Sequence, residues 1–174
     1  RPPIALTVAL LCGLLFRVDS MAQPAEGGRD SLSYKSPVLL AVSRDGGRLF
    51  VTCRDADALA VVDLALGRVI QEIPVGRNPH GLVEDPDGRR VYVSCRAEKA
   101  VAVVDLETSR VSRRMTVGND PCGMALGLDG RILYVANAGS NDISVVDAKL
   151  GVELKRLPAG RSPVSLALTP DGSR

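Results

Sequence analysis

The stretch Arg48–Leu64 reads RLFVTCRDADALAVVDL. Forty-two residues later, Arg90–Leu106 reads RVYVSCRAEKAVAVVDL, and after the same interval Ile132–Ala148 reads ILYVANAGSNDISVVDA. The register holds outside these stretches too. Asp45, Asp87, Asp129 and Asp171 are each followed by Gly at 42-residue intervals, and Asp63, Asp105 and Asp147 keep the same spacing. So do Gly76, Gly118 and Gly160, and Pro37, Pro79, Pro121 and Pro163. A fixed period in this range marks a chain assembled from repeated supersecondary units.

One unit, taken over residues 79–118, reads as four short strands. HGLVED is an apolar segment closed by the turn signal DPDG, in which Pro restricts the backbone and Gly frees it. RRVYVSC follows, rich in β-branched and aromatic residues. RAEK is a polar connection, AVAVVDL a third strand, ETS a turn and RVSRRMTVG a fourth strand. No helix-sized window has helical periodicity.

The third strand is apolar on successive residues, which requires burial of both its faces. The fourth carries a polar or charged pair in every copy: Gln71-Glu72, Arg113-Arg114 and Lys155-Arg156. Charge there suits an outer edge, where it discourages strand addition by another molecule. Four-stranded antiparallel sheets covered on both faces, with one solvated edge, are the blades of a β-propeller. The expected fold is therefore all-β, with strand one of each blade innermost and strand four outermost.

The units LFVTC, VYVSC and LYVAN, set within PDGRR…VYV…VAVVDLETSRV…TVGNDP, resemble the repeats of YVTN-family β-propellers over residues 36–174. The resemblance implies a ring that is usually seven-bladed. It does not fix an activity, because related propellers include surface proteins, periplasmic binding proteins, lactonase-like enzymes and the propellers of haem or quinone oxidoreductases.

The expected organisation is a signal peptide at 1–22, a flexible lead-in at 23–35 and a partial propeller at 36–174. The repeats run 44–85, 86–127 and 128–169, with a fourth starting at 170 and an inner strand at 37–42 before the first. The signal rests on an apolar run, Ile4–Phe16, flanked by Arg1 and Arg17. That run is shorter than the ~20 residues needed to cross a bilayer, and Ser20-Met21-Ala22 supplies small residues for cleavage. A buried or anchoring N-terminal helix is the alternative. Export places the protein in the periplasm or outside the cell, with no membrane span after cleavage.

About three blades cannot close a ring, so an open arc is expected, with an uncovered face on its first and last sheets. Leu49, Val51, Leu133 and Val135 are expected on or near those faces. Phe50, Tyr92 and Tyr134 are expected to occupy one repeated, largely buried position.

The 174 residues carry a formal charge of +2, and cleavage leaves 20 basic against 19 acidic residues. Aromatic residues make up 3% of the chain, with no Trp. A nucleic-acid binder needs a basic stripe with stacking aromatics, and neither is present, so nucleic acid is excluded as a partner.

Strand direction puts His80, Cys122, Cys53, Cys95 and Asn137 towards one rim of the arc, where ligands bind if loops of several blades converge. His80, Cys122 and Asn137 are the candidate ligand-binding residues. His80 can be read as a metal or haem contact, or as the ordinary polar residue of NPHG at the start of an inner strand. The second reading is preferred, since Val38, Cys122 and Val164 occupy the equivalent positions. Cys53 and Cys95 repeat one position on blades that fan apart, roughly 10 Å from each other given ~4.8 Å between strands. A disulfide needs Cα atoms within ~7 Å. Cys53, Cys95 and Cys122 are therefore expected as buried free thiols.

No CxxCH motif is present for c-type haem, and no Ser-His-Asp set, phosphate loop or metal-spaced His pair is visible. The repeated aspartates suit turns. No catalytic residue, metal or cofactor is expected from this segment. The reading is an exported scaffold that binds a protein or small molecule at the rim. Its alternatives are the propeller domain of a periplasmic oxidoreductase, with a cytochrome or peroxidase-like module beyond residue 174, and a lactonase-like hydrolase.

Overall fold

A computed structural model describes residues 35–169. The expected signal peptide, most of the expected lead-in and the PDGSR segment lie outside these residues. Twelve strands follow one another: β1 Pro37–Val42, β2 Arg48–Cys53, β3 Ala58–Asp63, β4 Arg68–Pro74, β5 Pro79–Glu84, β6 Arg90–Cys95, β7 Ala100–Asp105, β8 Arg110–Thr116, β9 Pro121–Leu126, β10 Ile132–Asn137, β11 Asp142–Asp147 and β12 Val152–Pro158. The helical content of the described residues is a single 3-10 turn at Arg96–Glu98.

Each set of four consecutive strands forms one antiparallel sheet, ordered β1-β2-β3-β4, β5-β6-β7-β8 and β9-β10-β11-β12. The 42-residue repeat is out of phase with the sheets. The span 44–85 holds strands two to four of the first sheet and the innermost strand of the second, and 86–127 joins the second and third sheets in the same way. The arc is open among the described residues.

The aspartates of the repeat build its turns. Asp45, Asp87 and Asp129 each accept a hydrogen bond from the backbone N–H two residues on, at 2.9–3.0 Å. Asp63 and Asp147 accept from two successive N–H groups after strand three, and Asp105 accepts from Thr108. The outer strands share a bulge as well. Pairing skips Ile70, Ser112 and Leu154, 42 residues apart, between the third and fourth strands. A bulge bends a strand and increases its twist, and here it falls at the same position in each blade.

Side chains alternate across each sheet, and that alternation distributes the core. In β6, Val91, Val93 and Cys95 face the first sheet and pack with Phe50, Leu59, Val61 and Ile73. Tyr92 points the other way and packs with Leu133, Val135 and Val146 of the third sheet. β3 and β7 are buried from their first residue to their fifth, as an apolar run on both faces demands. Arg113 and Arg114 are exposed on outer strand β8.

Two expectations need correction. Leu133 and Val135 are buried, because alternation turns them towards the middle sheet. Leu49 and Val51 do lie on the far side of the first sheet, yet they too are buried, in a cluster with Cys53, Ala60 and Val62. Secondly, Phe50 and Tyr92 are fully buried but Tyr134 is only half-buried. It occupies the same repeat position on the side of the third sheet away from the other two. The sixth residue of each outer strand shows the same difference. Ile73 is 2% exposed and Met115 1%, whereas Leu157 is 38% exposed.

Candidate functional site

The inner strands run close together, with β5 beside both β1 and β9. At Gly81 an added Cβ would lie 2.1 Å from the carbonyl oxygen of Cys122, so a side chain there collides with main chain of the next sheet. Hydroxyls from second strands stitch the approach. Thr52 donates to the carbonyl of His80 at 2.9 Å, and Ser94 donates to that of Cys122 at 2.7 Å while accepting from Gly81 N–H. His80 and Cys122 are thus held first by their backbones.

The rim above this junction is formed by the β2–β3 and β6–β7 connections and by the loops entering β5 and β9. Their tight shape comes from residues with positive φ at repeated positions. Asn78 and Asp120 stand at φ 56 and 54, and Asp57 and Lys99 at φ 52 and 53. Asn and Asp tolerate this left-handed region better than most side chains, because they hydrogen-bond locally.

Between the second and third sheets the rim is closed by charge. Arg96 presents Nε and Nη2 to the two carboxylate oxygens of Asp120, the Nη2 contact at 2.6 Å. This side-on, two-point pairing is the strong form of the interaction. It lowers the Asp120 carboxyl below its usual range, with the Arg96 hydrogen bond as the largest cause. His80 sits alongside, and desolvation, then Arg96, depress its pKa while Asp120 partly opposes them. Its Nδ1 is buried and unpartnered. Cys122 is buried, its thiol pushed up by desolvation, and its Sγ approaches the carbonyl of Asp120 at 3.4 Å.

Between the first and second sheets the same positions are filled differently. Arg54 stands where Arg96 stands, but Asn78 replaces Asp120. Arg54 reaches Asp55 through Nε alone, at 3.3 Å. An open cleft of about 530 Å³ lies here, lined by Arg54, Asp55, Asp57, Arg77 and Asn78.

Asn137 is not part of this group. It is fully buried at the end of β10 and donates from Nδ2 to Asp142 at 2.7 Å and to Ser144 at 2.8 Å, leaving Oδ1 unpartnered. Gly118 passes so near that a Cβ there would fall 2.5 Å from Asn137 Cγ. The structure therefore brings His80 and Cys122 together around Arg96 and Asp120, and leaves Asn137 in the packing between sheets. Cys53 and Cys95 are free and buried. Desolvation raises both thiols, that of Cys95 to about 11. Among the described residues no group of three or more His, Cys, Asp or Glu side chains is placed to hold a metal ion.

Arg54, Arg77, Asn78, Arg96 and Asp120 were not singled out from the sequence. The signal was the break in repetition at one aligned position, Asn78 against Asp120, opposite a retained arginine.

Comparison with known proteins agrees with this architecture. A family model described as YNCE-like beta-propeller matches residues 14–85. The chain is built as a β-propeller. It is similar to the Kuenenia stuttgartiensis hydrazine synthase structure, with 26% identity and a TM-score of 0.78 over 86% of this chain and 44% of that one. It is also similar in fold to a putative 6-phosphogluconolactonase from Bacteroides fragilis, with 21% identity and a TM-score of 0.69 over 77% of this chain and 42% of that one. The chain thus spans less than half the length of either structure. No curated protein matches it.

Proposed function

We propose that this chain is an exported binding scaffold, a propeller of the YVTN repeat type, periplasmic or secreted, that presents its rim to a protein or small-molecule ligand. The observation that carries this reading is the state of the rim side chains. Arg96 and Asp120 are locked together across two sheets, Asp57 accepts from Asn78 N–H at 2.9 Å, and Asn141 accepts from Ser162 N–H at 2.8 Å. A surface whose polar groups are already fixed by its own scaffold loses little conformational freedom when a ligand docks.

A second reading draws on the likeness to the hydrazine synthase structure. Here the propeller is a module of a larger periplasmic oxidoreductase, and the rim is where that enzyme's other parts meet it. A lactonase-like hydrolase is the third.

The readings separate by turnover. The chain is incubated with a panel of lactones, and separately with haem and peroxide, while ligand binding at the rim is followed by the chemical shifts of the Arg54 and Arg96 side chains. Binding without turnover supports the scaffold. Turnover of a lactone that His80→Gln abolishes would overturn it. Export is tested by fusing residues 1–22 to a reporter active only outside the cytoplasm, and a silent reporter would remove that part of the proposal.

A further inference from the structure

From the two rim junctions compared, we infer that the cleft lined by Arg54, Arg77 and Asn78 is an anion site, which takes a ligand carboxylate or phosphate in the place that Asp120 fills one blade further on. The inference rests on the binding-scaffold reading above and names its ligand class.

The repeat supplies its own control. Arg96 and Arg54 occupy the same position in successive blades, and so do Asp120 and Asn78. The backbones match as well, with φ of 54 at Asp120 and 56 at Asn78. At the second junction the carboxylate of Asp120 engages Arg96 at two points. At the first, the amide of Asn78 brings no charge, and Arg54 keeps only the 3.3 Å contact of Nε with its neighbour Asp55. The two terminal nitrogens of Arg54 meet no acceptor among the described residues. Arg77 lines the same cleft, is exposed, and pairs with no carboxylate.

The acids in the lining are already engaged. Asp55 accepts from Ser36 Oγ and from Arg54, and the hydrogen bond from Ser36, then that from Arg54, lowers its pKa. Asp57 accepts from the backbone N–H of Asn78. Two guanidiniums with free donors beside one open cleft match the geometry of a carboxylate or phosphate. The ligand class is therefore a carboxylate or a phosphate. Because both arginines are exposed, binding should weaken as salt rises.

The test uses the full chain at low ionic strength, titrated with inorganic phosphate and, in a parallel arm, with citrate, by calorimetry and by chemical shift. One site is expected, and the tighter arm tells phosphate from carboxylate. Asn78→Asp should rebuild the closed junction, weakening binding at least about tenfold while raising the melting temperature. Asp120→Asn should open the second junction yet leave the stoichiometry at one, because Asn119 stands there where Arg77 stands in the first. Arg77→Ala should weaken binding with the fold intact, and it decides the matter if Asn78→Asp fails to fold. Binding by Asn78→Asp equal to that of the unaltered chain would overturn the inference, as would no binding of either anion. Both failures would leave the scaffold reading standing, because the turnover assay judges that separately.

Discussion

Replacing Tyr92 probes the packing of the middle blade and a buried polar contact together. Its ring is fully buried between the second and third sheets, against Leu133, Val135, Val103 and Met115. Its hydroxyl donates to Asp85 Oδ2 at 2.9 Å, and Asp85 is itself buried with Arg90 Nη2 3.5 Å away. Tyr92→Ala removes a large core side chain that its neighbours cannot replace, at a cost of about 3–5 kcal/mol. Tyr92→Phe keeps the ring but leaves a buried carboxylate short of one donor, which costs about 1.5–3 kcal/mol. The first blade suggests a compensation, for it has Phe50 and Ser43 at the positions of Tyr92 and Asp85. Tyr92→Phe combined with Asp85→Ser should therefore recover most of the Tyr92→Phe loss. Tyr134→Ala, at the half-buried copy, should cost about half as much as Tyr92→Ala, in proportion to the area it buries. Urea unfolding supplies the measurement, read as a shift of midpoint at constant slope. There is also a pH arm. Burial, then the hydrogen bond to Asp85, raises the Tyr92 phenol above its ordinary 10. Its contribution is complete below pH 10 and is lost as pH climbs towards the raised value. A Tyr92→Ala loss below about 1 kcal/mol, or equal losses at Tyr92 and Tyr134, would refute the packing argument.

Gly81→Ala should destabilise by about 1–3 kcal/mol through overpacking, because the new methyl meets the main-chain oxygen of Cys122; thermal unfolding reads it, and a neutral result would place the inner strands further apart. The buried Cys95 thiol, raised to about 11 by desolvation, should resist a disulfide reagent at pH 8 in the native chain and react once urea unfolds it. Its folded pKa lies above the unfolded one, so its share of stability is whole below about pH 9 and falls away towards 11. His80, depressed below its ordinary 6.5 by desolvation, contributes stability that is present above pH 6.5 and is lost as pH falls through its folded value. His80→Gln should flatten that limb of the stability curve, and an unchanged curve would count against its burial.

The fold was legible because one pattern is written three times. The turn aspartates and the polar or charged pairs of the fourth strands recur at 42 residues, the first two third strands are apolar on both faces, and each feature has a single structural reading. Burial at the ends of the arc was not legible. Which of Leu133 and Tyr134 faces inward depends on the phase of side-chain alternation relative to the neighbouring sheet, and a repeat period leaves that phase free. The rim was legible only as a place. His80 and Cys122 draw notice by residue type, yet their positions are set by backbone contacts to Thr52 and Ser94. What distinguishes the two junctions is the replacement of an aspartate by an asparagine opposite an arginine. A residue-by-residue search for catalytic types passes over that difference.

The central claim is that one four-stranded blade repeats with its faces stacked, innermost strand first. Amide hydrogen exchange along the chain tests it most directly. Protection should recur at 42-residue intervals, strongest in β2, β3, β6 and β7, with β8 slower to exchange than β12, whose residues are all exposed. Protection that does not repeat at that interval, or β12 protected as strongly as β7, would contradict it.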